Sequence, residues 1–183
     1  MKQLEGGCAC VAIRYKLTKP PLIVHACHCR DCQRLTGGPH AINMWIETKF
    51  VEVHGQKPKS FTLTAGTGKA HQVFFCGQCG TYVWSRYEAV PSDCLFVRAG
   101  TLDKPSSVWP DIHVFTRSKL PWVEIPEGVP AFRSFYRFRR SGRMRISSAS
   151  LRMPNNPRPN LVKSTGLRGS RAPSDGRLIP GRG

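Results

Sequence analysis

Cys27-His28-Cys29-Arg30-Asp31-Cys32 packs three thiols into six residues. Two pairs flank it, Cys8-Ala9-Cys10 upstream and Cys76-Gly77-Gln78-Cys79 downstream, so seven of the eight cysteines are clustered and Cys94 stands apart. Cysteines two or three positions apart make strained disulfide partners. They suit zinc: tetrahedral coordination at about 2.3 Å per Zn–S bond sets the sulfurs about 3.8 Å apart, a separation that neighbours in a tight turn can reach. Seven ligands divide as four plus three. Structural zinc sites are closed and catalytic ones keep an open position, so the division predicts one site of each kind.

Outward from the cysteines the chain reads as short strands separated by turns. Val11, Ile13, Tyr15 and Leu17 alternate with smaller or charged residues until Pro20-Pro21, the period of a half-buried strand. Leu22 to Ala26 is β-prone and delivers Cys27, and Thr36-Gly37-Gly38-Pro39 is turn chemistry. Alternation returns at Ile42, Met44 and Ile46, at Val51 and Val53, and at Phe61 and Leu63 before Gly66-Thr67-Gly68. Val73-Phe74-Phe75 leads into Cys76 and Tyr82-Val83-Trp84 leaves Cys79, which predicts a hairpin with a metal-binding turn. Leu95, Val97 and Ala99 give one more strand, and no helical apolar spacing is sustained over ten residues. The expected fold is mainly β, one zinc-stabilised domain.

Pairing Cys8 and Cys10, on one side of an extended segment, with Cys76 and Cys79 would close a four-thiolate site, a pairing that spacing alone leaves open. Spacing leaves open what joins Cys27, Cys29 and Cys32; the candidates are Cys94, His25, His28, His40, His71 and His113. Cys94, inside a strand-like run, is expected to be a small buried hydrophobe.

Charge divides the chain unevenly. The 183 residues carry 28 Lys and Arg against 11 Asp and Glu, a formal net charge of +17. Residues 137–183 hold 12 of the basic groups and 1 acidic group, with no cysteine, and no aromatic follows Phe138. Such a composition buries too little apolar surface to offset its ordering entropy. The expected organisation is a zinc-binding domain over 1–136 and a disordered, Arg-rich tail over 137–183. Met1 to Gly7 is polar, unlike a secretory signal, and no apolar run approaches membrane-spanning length. Clustered thiols in that context point to a reducing, cytoplasmic setting and to metal rather than disulfides.

Gly6-Gly7-Cys8-Ala9-Cys10 followed by Cys27 to Gly37 resembles the glutathione-dependent formaldehyde-activating enzyme family. Phe75 to Gly80, Ala99-Gly100-Thr101-Leu102-Asp103 and His113 to Trp122 resemble it too, in order, from about Gly6 to Phe132. The resemblance implies a small β-tent fold related to zinc ribbons. It implies a structural zinc on Cys8, Cys10, Cys76 and Cys79 and a catalytic zinc on Cys27, Cys29 and Cys32. The activity it implies is carbon–sulfur lyase chemistry, joining glutathione or a related thiol to formaldehyde or another small aldehyde as in S-hydroxymethylglutathione synthesis. Three thiolates leave zinc with net negative charge, which nearby cations must offset; Arg30 and Arg34 are closest in sequence. Either can also hold a glutathione carboxylate, and Gln33, Thr36 and Gly37 are expected to shape the pocket. The cysteine pattern also resembles the centromere protein V-like domain, whose chromosomal association frames an alternative: a zinc-stabilised binding module whose basic tail grips nucleic acid or another polyanion.

Overall fold

The computed structural model describes residues 4–90 and 93–136. The expected disordered tail over 137–183, and with it the polyanion-binding alternative, lies outside the described residues. Among the described residues, ten strands form two sheets. A three-stranded antiparallel sheet joins β1 (Leu4–Gly7), β2 (Ile13–Leu17) and β5 (Val51–Gly55) in the order β1-β2-β5. The larger sheet takes β3 (Ile23–Cys27), β4 (Ala41–Glu47), β6 (Lys59–Thr64), β7 (Ala70–Phe75), β8 (Tyr82–Tyr87), β9 (Cys94–Arg98) and β10 (Ile112–Val114). Its order is β10-β3-β4-β9-β8-β7-β6, antiparallel except for the β10–β3 pair. The expected mainly β domain is the fold found.

Strand alternation explains how the large sheet is covered on both faces. Met44 and Ile46 of β4, with Leu95 and Val97 of β9, pack with Ile13, Tyr15 and Leu17 of the small sheet. Trp45 and Phe96, one position out of step, join Ile23, Cys27, Ile112 and Val114 in a second apolar cluster on the opposite face. Strands buried on both faces read as continuous apolar runs, and every residue of β3 and β9 is buried. Strand β9 nevertheless ends in a buried arginine, Arg98.

Two local details depart from the sequence reading. Val11 lies outside β2, exposed and at φ 63°, because Cys8 to Val11 is a tight turn closed by Val11 N–H donating to the Cys8 carbonyl at 2.9 Å. The Cys8 and Cys10 sulfurs therefore converge across a turn rather than along an extended segment. The three-cysteine stretch also contains a helix, α1 (Arg30–Thr36), too short for a periodicity search over ten residues to detect. Gly37 ends it in the left-handed region at φ 66°, a conformation that glycine adopts without a Cβ penalty.

Candidate metal centres and their cavity

The four-sulfur group forms where the turn before β2 meets the β7–β8 hairpin. The sulfurs of Cys8, Cys10, Cys76 and Cys79 all lie within 4.8 Å of one another, with Cys8–Cys10 at 3.5 Å and Cys10–Cys76 at 3.6 Å. A tetrahedral thiolate shell has an edge of about 3.8 Å, and the donors are all soft sulfur; the group fits zinc. Backbone N–H groups already point at the sulfurs, Ile13 at Cys8 (3.2 Å) and Gln78 at Cys76 (3.4 Å). Gly80, at φ 71°, lets the knuckle close, its N–H donating to the Cys76 carbonyl at 2.9 Å. Thr81, which the sequence did not single out, links the two halves. Its hydroxyl oxygen accepts from Ala9 N–H at 3.1 Å and lies 3.1 Å from the Cys79 sulfur.

The second group sits on the other face of the large sheet. Cys27 ends β3, Cys29 caps α1 and Cys32 lies in its first turn, with all three sulfurs within 4.8 Å of one another and Cys27–Cys29 at 3.6 Å. The cap is unusual chemistry: the Cys29 sulfur takes the place of a Ser or Asp oxygen and accepts Cys32 N–H at 3.3 Å. Strand β10 fixes the approach to the helix, because the Val114 carbonyl accepts His28 N–H at 3.0 Å. Among the described residues, no histidine, carboxylate or fourth cysteine joins this group. Cys94 is buried elsewhere in the strand that carries it, with its thiol pushed up to about 11 by burial and Asp93. His28 pairs with His113, Nε2 to Nδ1 at 2.9 Å. Three soft sulfurs at these spacings fit zinc as well, with room for one further ligand.

These three sulfurs form part of the wall of a cavity of about 240 Å³. Asp31 shapes its mouth, since its carboxylate accepts Gly66 N–H at 2.9 Å and ties the β6–β7 turn to α1. The inner wall carries Asn43, His71, Phe96 and Arg98, all buried, while Arg30 and Arg117 stand at the exposed rim. Arg98 is the buried cation. Its guanidinium donates to the Asn43 Oδ1 and lies 3.9 Å from the centroid of the Tyr82 ring. Hydrogen bonds with Cys27 and Cys29 hold the Cys32 thiol well below its ordinary range, and Arg98 adds to the effect; hydrogen bonds with Cys29 and Cys32, together with burial, push Cys27 well above it. Burial keeps the cavity histidines neutral at pH 7: His25 is lowered to about 4, and His71 is lowered as well.

Of the expected pocket residues, Arg30 lines this cavity, whereas Gln33, Arg34, Thr36 and Gly37 are absent from its wall. Gln33 is buried and donates to the carbonyls of His28 and Ser118, both at 2.8 Å, pinning α1 to the segment after β10. The Thr36 hydroxyl donates to the Cys32 carbonyl at 2.8 Å, Gly37 caps the helix, and Arg34 is exposed. Lys119 donates to the carbonyls of Leu120 and Val123, and Trp122 is exposed. Arg98 and Asn43 were missed because they sit on β9 and β4, outside the three-cysteine stretch. Their one sequence signal is polarity at the end or middle of otherwise apolar runs, Cys94-Leu95-Phe96-Val97-Arg98 and Ala41-Ile42-Asn43-Met44.

Residues 3–118, which hold all of these cysteines, match the model of the glutathione-dependent formaldehyde-activating enzyme family. The chain belongs to that family. A curated protein of Halomonas elongata, provisionally named a glutathione-dependent formaldehyde-activating enzyme, is 28% identical over 127 residues, 67% of this chain and 80% of its own. A solved Rhodobacter sphaeroides protein superposes with a TM-score of 0.43 at 19% identity, over 54% of this chain and 87% of its own. Among the described residues of this family member, no helix is long and apolar enough to cross a membrane.

Proposed function

We propose that the protein is a zinc-dependent carbon–sulfur lyase that makes and breaks the bond between a thiol, glutathione first among them, and the carbonyl carbon of a small aldehyde. The observation that carries this reading is the inequality of the two sulfur groups. Four sulfurs lie within 4.8 Å of one another at a turn, whereas three sulfurs form part of a cavity wall. Cys8, Cys10, Cys76 and Cys79 would hold a structural zinc, and Cys27, Cys29 and Cys32 a catalytic one. When bound there, zinc supplies the field that lets a guest thiol act as thiolate at neutral pH.

The chain's own residues do the rest. Arg98, fixed by Asn43 and Tyr82, offsets the negative charge that three thiolates leave beside the cavity. Arg30 and Arg117, at the exposed rim, suit the carboxylates of glutathione. Addition moves one proton from the thiol to the carbonyl oxygen while the C–S bond forms and the C=O π bond opens, with no net oxidation. His71 is placed to pass that proton: it lines the cavity, is neutral, and its Nε2 lies 3.3 Å from the Tyr82 hydroxyl.

The test mixes zinc-loaded protein with glutathione and formaldehyde and follows exchange between free and adduct carbon by NMR against the spontaneous rate. Wild type should carry two zinc ions and accelerate exchange. Cys29→Ser should keep one zinc and its fold while exchange drops to the spontaneous rate. Cys79→Ser should lose the fold, because structural zinc contributes binding energy of about 10–16 kcal/mol, comparable to a whole domain's stability. No acceleration by wild type with both ions in place would end the lyase reading.

A further inference from the structure

The cavity beyond the three sulfurs is larger, and more apolar, than a one-carbon carbonyl requires. Formaldehyde has no substituent to place, yet about 240 Å³ of space adjoins the thiols. Phe96, Val114, Phe115 and Phe135 line that space and share one hydrophobic cluster with Cys27, Cys29 and Cys32. The ring wall is continuous through His25: Phe115 and Phe135 have ring centroids 6.0 Å apart, Phe135 and His25 5.6 Å, and His25 and Phe96 6.0 Å. Phe115 holds its place at a backbone cost, since its φ of 57° falls in the left-handed region that residues with a Cβ avoid. The buried polar groups on the inner wall are His25, Asn43, His71, Ser85 and Arg98. Arg98 reaches Asn43 and Tyr82, His71 the Tyr82 hydroxyl and His25 the Tyr136 hydroxyl; the atoms left without a hydrogen-bond partner among the described residues, Arg98 Nε and His25 Nδ1, suit the single oxygen of the adduct rather than a polar side chain.

We infer that this site takes the thiol adduct of an aldehyde carrying an aromatic or branched apolar group, with that group against Phe96, Phe115 and Phe135. The inference rests on the carbon–sulfur reading above and specifies its substrate class. The chemistry is addition without redox change: the thiol sulfur bonds to the aldehyde carbon, the C=O π bond breaks, and the thiol proton ends on the former carbonyl oxygen. The apolar substituent takes no part in bond making. It excludes water from the cavity and orients the carbonyl, which converts apolar burial into rate.

Exchange NMR on equilibrated mixtures of glutathione with phenylacetaldehyde, and separately with formaldehyde, gives the acceleration over each spontaneous rate with zinc-loaded protein. Binding of 2-phenylethanol, which has the ring but no carbonyl, is titrated in parallel by the broadening of its ring protons. The expected result is an acceleration at least about tenfold greater for phenylacetaldehyde, the discrimination that apolar contacts of this size provide, together with saturable 2-phenylethanol binding. Phe115→Ala, checked for an unchanged circular dichroism spectrum and two zinc ions, should cut the phenylacetaldehyde-to-formaldehyde ratio several-fold and weaken 2-phenylethanol binding. Acceleration of formaldehyde exchange alone overturns the substrate class and leaves the carbon–sulfur reading standing. Acceleration of neither aldehyde overturns the carbon–sulfur reading itself.

Discussion

Replacing Arg98 with methionine tests whether a buried cation balances the three-sulfur site. Methionine keeps much of the arginine stem's volume and removes the charge. Three structural terms set the cost to folding. Asn43, itself buried, loses its guanidinium donor, and a buried acceptor left unpaired costs about 1–3 kcal/mol. The cation over Tyr82 is lost as well, worth up to about 2 kcal/mol when desolvated. Against these stands relief, because Arg98 is almost wholly buried and its Nε has no hydrogen-bond partner. The net expectation is a loss of about 1–3 kcal/mol, read as a lower urea midpoint with an unchanged slope. The metal effect is separate. Zinc on three thiolates leaves one net negative charge beside the cavity, and without Arg98 that charge is buried unpaired, whereas the metal-free thiols can neutralise by taking protons. Zinc at Cys27, Cys29 and Cys32 should therefore bind about 10–100-fold more weakly, the usual cost of losing a partner just outside the ligand shell. Zinc at Cys8, Cys10, Cys76 and Cys79 should be unaffected. Competition with a coloured chelator resolves the two ions as two release phases, and only one should move. Arg98→Lys should recover part of the loss. If both phases move together, or neither moves while the midpoint falls, Arg98 is a packing residue and the electrostatic argument is wrong.

Thr81→Val removes the hydroxyl that links Ala9 N–H to the Cys79 sulfur, so the more slowly released zinc should become labile by about tenfold while the three-sulfur site is untouched; the same chelator assay reads it. Tyr15→Phe deletes a hydroxyl 2.7 Å from the Thr101 Oγ1 in the core between the sheets and should cost about 1 kcal/mol, seen in urea unfolding, with no change in aldehyde exchange. Stability should also fall with acid. Burial lowers His25 to about 4 and lowers His71 and His113, so each takes a proton more readily in the unfolded chain. Their contribution is complete above the ordinary imidazole value near 6.5 and is lost as pH falls below it, for His25 down toward 4, at up to roughly 1.4 kcal/mol per pH unit for each group. Urea midpoints at pH 7.5, 6 and 5 check the sign, and His113→Asn, which keeps a hydrogen-bonding atom toward His28, should flatten the profile; an unchanged slope would count against buried neutral imidazoles.

Much of the fold and the metal centres was legible along the chain because the relevant physics is local. Alternation at Ile13, Tyr15 and Leu17 or at Met44 and Ile46 is fixed by the two-residue period of a strand, whichever partner it meets. The clustering of the cysteines follows from ligand spacing within short segments, and the structure gathers them as the expected four and three. The seven-residue α1 escaped because two turns are too short for a periodicity search over ten residues, and its cap is a cysteine rather than a recognised capping residue.

The sequence by itself determined the β character, the clustering of seven cysteines and the family, since each depends on residues close together or in fixed order; that Cys10 meets Cys76 across 66 positions is a tertiary result. Only the tertiary structure decided what surrounds the three sulfurs. Arg98 and Asn43 meet because β4 and β9 pair in register, Asn43 opposite Arg98. Phe115 and Phe135 reach the same cavity because the segment after β10 folds back along it, Thr116 N–H donating to the Phe132 carbonyl at 3.0 Å. Neither encounter has a periodicity or a spacing to announce it: long-range strand pairing is set by the collective burial of two sheet faces, which no single stretch of chain encodes.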